Sequence, residues 1–155
     1  MLAKLAGVLL TGTLLLSACG LGATQMELPT ATEQQHALYT ERQHFEERLT
    51  AHTTATLLAL TCEDNVDIAT YKVANESSMT VNLLKGTPTI QDITLHIDGP
   101  AIGNAFHYVA LAVDPTLTLK QAATIIQQAA QGATQHNGIT YQLHHSDDGI
   151  TLVVN

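Results

Sequence analysis

Tryptophan is absent from this 155-residue chain, and two phenylalanines and four tyrosines are its only other large aromatics. The flat rings on which carbohydrates stack are therefore scarce. Basic side chains are also few, six lysines and arginines against fourteen acids, for a formal charge of −8 with histidines neutral. That balance excludes nucleic acid and electrostatic adhesion to anionic lipid. No apolar run is long enough for a bilayer: the longest, Leu5 to Leu16, is short of the roughly 20 residues that span one. The common catalytic signatures are missing as well. There is no G-x-S-x-G elbow, no H-E-x-x-H, no C-x-x-C and no phosphate-cradling glycine loop with lysine.

What is present begins with Lys4, the apolar run, and then the small residues Ser17 and Ala18 ahead of Cys19. Leu16-Ser17-Ala18-Cys19 resembles the lipobox that closes a bacterial lipoprotein signal peptide. The resemblance covers the first twenty residues. It implies a signal peptide over 1–18, thioether diacylglycerol on Cys19, cleavage before it and acylation of the new amino terminus. Acyl chains contribute about 0.8 kcal/mol of membrane affinity per CH₂, so the lipidated form would stay anchored. Gly20 after the cysteine, in place of the aspartate that retains such proteins in the inner membrane, implies an outer membrane address facing the periplasm. Lipidation would leave Cys62 as the only thiol, so an intrachain disulfide is not expected in the mature form. Removing Lys4 with the signal leaves five basic residues against fourteen acids, a charge of −9.

Residues 19–31, with Gly20, Gly22 and Pro29 and no apolar periodicity, read as a tether. Residues 32–155 are long enough for one domain. Within it the spacing of Leu38, Phe45, Leu49, His52, Thr56 and Ala59 predicts a first helix over Thr32 to Ala59, with a loosely held end where threonines accumulate. Four alternating or β-branched runs follow: Val66–Val73, Met79–Leu84, Ile90–Ile97 and Phe106–Val113. Thr118-Leu-Lys-Gln121 fits a capping box opening a second helix that ends near Gly132. A two-residue turn at Asp148-Gly149 predicts a closing hairpin with Leu143 opposite Val154 and His145 opposite Leu152. The expected class is α+β, an antiparallel sheet of five to six strands with an N-terminal helix and a second helix packed on one face.

Chemistry is sought among the eight histidines and the acids. On the expected first helix, Glu33, His36, Thr40, His44 and Glu47 fall within a wedge of about 80°. Such a strip would hold Zn²⁺ weakly; the plain alternative is a solvated face. Asp98, Gly99, Gly103 and Asn104 lie in a glycine-rich segment and are the candidate binding loop, against a plain long turn. His107 reads as a core histidine on its strand, His144 and His145 point to opposite faces, and His96 faces solvent. Cys62, beside Glu63 and Asp64, reads as a buried structural cysteine, since acids raise a thiol pKa and disfavour a nucleophile. The expectation for function is a non-enzymatic, membrane-anchored envelope module that needs no cofactor and binds an envelope protein partner. The rivals are a small periplasmic hydrolase, with acids converging on His107 or His145, and a weak zinc binder.

Overall fold

The computed structural model describes residues 38, 40–74, 77–99 and 103–155. Among these residues, three helices, α1 (Arg42–Thr50), α2 (Asn104–Val113) and α3 (Leu119–Ala129), accompany seven strands. The strands are β1 (Ala55–Cys62), β2 (Val66–Val73), β3 (Ser77–Leu84), β4 (Ile90–Asp98), β5 (Thr134–His136), β6 (Ile139–His145) and β7 (Gly149–Val154). They form one antiparallel sheet in the order β1-β2-β3-β4-β7-β6-β5. The first four strands are a meander. The chain then leaves the sheet through α2 and α3 and returns with β7 beside β4.

One face of the sheet is apolar and covered. Tyr71, Met79, Leu95, Leu152 and Leu143 occupy successive registers across five strands, and each is buried. Phe45 and Leu49 of α1, Phe106 and Val109 of α2 and Ile126 of α3 complete that core at zero exposure. A single side-chain tie fixes two of the helices. Arg48 Nε donates to the Ala112 carbonyl at 2.6 Å, at the helix end where unpaired carbonyls favour a cation.

The first helix differs from expectation at both ends. Leu38 donates to the Ile90 carbonyl at 2.9 Å, Ile90 donates to that of Thr40 at 2.9 Å, and Glu41 bridges Thr89. This stretch is therefore extended, and α1 begins only at Arg42. The threonine-rich end is not helix at all but strand β1, as its branched β-carbons favour. Expectations for residues 1–37, including the signal peptide, Cys19 and the tether, lie outside the described residues.

The segment expected as a central strand, Phe106–Val113, lies in helix α2. Phe106, Val109, Ala110 and Val113 are buried while His107, Tyr108 and Leu111 are half-buried, the two faces of a 3.6-residue period. Because α2 sits between α1, α3 and the sheet, even its outer face is apolar, which disguises the period. Among the described residues the count of strands is thus seven rather than five or six, with β1 and β5 added and this one removed. The expected second helix and its capping box are present: Gln121 N donates to Thr118 Oγ1 at 3.3 Å, and Thr118 N to Gln121 Oε1 at 2.9 Å.

The closing hairpin forms in a register two residues from that expected, with Leu143 opposite Leu152 and His145 opposite Ile150. An even shift keeps every side chain on its face. The reason lies at Gly149: a β-carbon there would stand 2.2 Å from the Ile97 carbonyl oxygen. The glycine is spent on close strand approach, and residues 146–148 make the turn. The two-residue turn with positive φ is instead Asn137-Gly138, at 52° and 81°, joining β5 to β6.

Candidate functional site

Among the described residues, no helix covers the second face of the sheet. Its side chains alternate with the buried ones, and in register they run Thr70, Thr80, Thr94, Val153, Gln142 across the middle. Lys72, Ser78, His96, Thr151 and His144 form the neighbouring row. All are half-buried or exposed. Six strand spacings of about 4.8 Å and seven residues of about 3.3 Å give a platform of roughly 29 by 23 Å, or about 650 Å². That area approaches the roughly 800 Å² per partner of a standard protein interface.

Two side-chain pairs stiffen the platform. Asn82 Nδ2 donates to Asp92 Oδ1 at 2.9 Å; burial raises the Asp92 carboxyl above its ordinary value, and this bond opposes the rise. His96 Nδ1 lies 2.9 Å from Thr151 Oγ1, and its Nε2 lies 3.3 Å from Asp98 Oδ1. Among the described residues, Asp92 is the one acid within the face, with Asp98 at its rim. Glu41, Glu46 and Glu47 are on α1 or its entry, Glu63 and Asp64 on the β1–β2 turn, and Asp147 and Asp148 on the β6–β7 turn. Most of the negative charge of the described residues is thus kept away from this surface.

The most connected polar cluster lies elsewhere, at the end of α2. Asp114, 4% exposed, accepts from Thr116 N at 3.0 Å, Thr116 Oγ1 at 2.6 Å and Asn137 Nδ2 at 2.9 Å, and pairs with His136 Nδ1 at 3.2 Å. Burial pushes this carboxyl upward, but the bonds from Thr116, Asn137 and His136 outweigh it and hold the group below its ordinary value. The buried Tyr141 hydroxyl has no hydrogen-bond partner among the described residues; burial and then the Asp114 charge push its ionisation upward. A carboxylate orienting an imidazole is part of a hydrolytic constellation. Here, however, the one hydroxyl bonded to the pair, Thr116 Oγ1, is spent on the carboxylate. The adjoining hollow, lined by Lys120, Gln121, Thr124, Ile125, Gln128 and His136, measures about 260 Å³, below the 300–1,000 Å³ usual for ligand pockets. The cluster works as a latch joining the β5–β6 turn to α2.

The sequence candidates are not brought together. His44 and Glu47 are exposed on α1, but Glu33 and His36 lie outside the described residues and the helix needed to align all four starts at Arg42. Among the described residues, no group of three His, Cys, Asp or Glu could hold a metal ion. Asp98 ends β4 and is exposed, Gly99 turns with φ of 94°, and Gly103 caps the helix that Asn104 begins. His107 is on a helix, and burial lowers its pKa; His145 is exposed rather than turned into the core. Neither has a carboxylate partner among the described residues. Cys62 is exposed at the end of the edge strand, not buried, and is engaged in a disulfide, which removes it as a thiol nucleophile.

The latch was not identified from sequence, and the open face only in part, through the solvent-facing side of the fourth strand that carries His96. The face was legible as threonines alternating with buried residues in β2, β3 and β4; the latch was signalled by Asn137-Gly138, a two-residue hairpin turn. Searches of protein-family models, curated proteins and solved structures return no match.

Proposed function

We propose that the chain is a lipid-anchored protein of the bacterial envelope, tethered through Cys19, that holds an envelope protein partner on its open sheet face. The observation that carries the binding role is that face itself: seven strands wide, half-buried, nearly free of acid, and opposite a fully packed core. A protein fits it better than a sugar, because no phenylalanine, tyrosine or tryptophan lies on its two central rows, and better than nucleic acid, because Lys72 is the only lysine or arginine on them. The role is non-enzymatic. A thioether sulfur cannot enter a disulfide, so lipidated Cys19 and a bond from Cys19 to Cys62 are mutually exclusive states of one chain.

The test is a pull-down from crosslinked native membranes. One stoichiometric protein should be recovered with the unaltered chain and lost with Thr80→Arg/Thr94→Arg, which places two bulky charges at the centre of the face. Recovery of the same protein with that variant would reject the open face, and repeated recovery of none would reject the binding role.

A further inference from the structure

The two edges of the sheet are unequal. β5 is three residues long and polar, a short edge of the kind that discourages strand addition. β1 is eight residues, Ala-Thr-Leu-Leu-Ala-Leu-Thr-Cys, with no charge and no proline, and among the described residues it pairs only with β2. Its one irregularity is a register shift between Leu57 and Ala59. Leu57 and Leu58 are 44% and 62% exposed, and Leu119 is the only other exposed large apolar side chain among the described residues.

We propose that β1 pairs antiparallel with β1 of a second copy, about a two-fold axis perpendicular to the sheet, to give a continuous fourteen-stranded sheet. Two chains of charge −8 repel except along a strip without charge, and β1 is such a strip. The acids at one end choose the direction. Glu63 and Asp64 follow the strand and His52 precedes it. Parallel pairing would set the two acid pairs against each other; antiparallel pairing sets each against the partner's His52 region. The side chains agree with the same axis. Leu57 opposes Tyr71 and Leu60 opposes Ala69, so both lie on the helix side, where Leu57 of one copy meets Leu60 of the other. Thr56 and Thr61, opposite Lys72 and Ile68, meet on the open side. The axis leaves the two open faces side by side and uncovered.

Sedimentation of the full chain in density-matched detergent, with reductant present, should give the mass of two chains. Leu58→Lys should return it to one chain, Leu57→Lys should do the same, and His52→Glu should weaken the pair several-fold. Each altered side chain is exposed, so circular dichroism should be unchanged. Leu119→Lys should leave two chains. A single-chain mass for the unaltered protein, a pair that survives both β1 lysines, or one that Leu119→Lys splits equally well would overturn the proposal. None of these results touches the partner pull-down, which reads the open face separately.

Discussion

His136 meets Asp114 through Nδ1 and Oδ2 at 3.2 Å, and that contact closes the β5–β6 hairpin onto the end of α2, twenty-two residues earlier in the chain. Asn137, the next residue, donates to the same oxygen at 2.9 Å. A buried carboxylate shared by a hairpin turn and a helix end makes the latch a single unit. Asp114→Ala should destabilise the fold by roughly 1.5–3 kcal/mol, since it removes the buried charged acceptor of the bonds from Thr116, His136 and Asn137, and His136→Ala by less. Urea denaturation of both variants checks the order.

The same carboxyl sets an acid limit. It is held below its ordinary value, and a depressed acid contributes stability that is complete above the unfolded value, near 3.9, and is lost as pH falls through the folded value. Stability should therefore decline below about pH 4, and Asp114→Asn should flatten that decline. Denaturant midpoints measured from pH 6 downward test it.

An alkaline limit comes from two phenols. Tyr71, 2% exposed, donates to Glu46; burial and then that bond push its ionisation far upward, and burial with Asp114 does the same for Tyr141. A raised acid stabilises fully below its unfolded value, near 10 for tyrosine, and less as pH rises beyond it. Both phenols should ionise only together with loss of secondary structure, seen as tyrosinate absorbance tracking circular dichroism.

Tyr141→Phe separates burial from bonding. Its hydroxyl has no hydrogen-bond partner among the described residues, so removing it should leave stability unchanged or raise it by up to about 1 kcal/mol. Tyr71→Phe, which removes the phenol's bond to Glu46, should lower stability by about 1 kcal/mol.

Gly149 admits no side chain. Its β-carbon would approach the Ile97 carbonyl to 2.2 Å and His96 Cε1 to 2.9 Å. Gly149→Ala should cost roughly 1–3 kcal/mol by overpacking and loosen the β4–β7 pairing at Ile97–Ile150, visible as faster amide exchange there.

Local signals were legible where local rules decide. The Thr118 capping box, the run Val66–Val73 and the face taken by Leu143, Ile150 and Leu152 all follow from side-chain chemistry within a few residues. The failures have one cause, tertiary context. Phe106–Val113 is apolar around most of its circumference because three elements pack on it, so its helical period was hidden. Ala55–Cys62 continues the spacing of Phe45 and Leu49 by coincidence, and only its threonines hinted at strand. Asp114 gave no signal because two of its partners, His136 and Asn137, lie more than twenty residues along the chain.

Address and partner class both depend on the sulfur of Cys19, so the most direct measurement is the intact mass of the protein extracted from its native membrane. The mass of residues 19–155 plus acyl groups is the predicted result, and it excludes a Cys19–Cys62 bond in the same molecule. The mass of the whole unprocessed chain, two hydrogens lighter for a disulfide, would contradict the anchor and with it the envelope role.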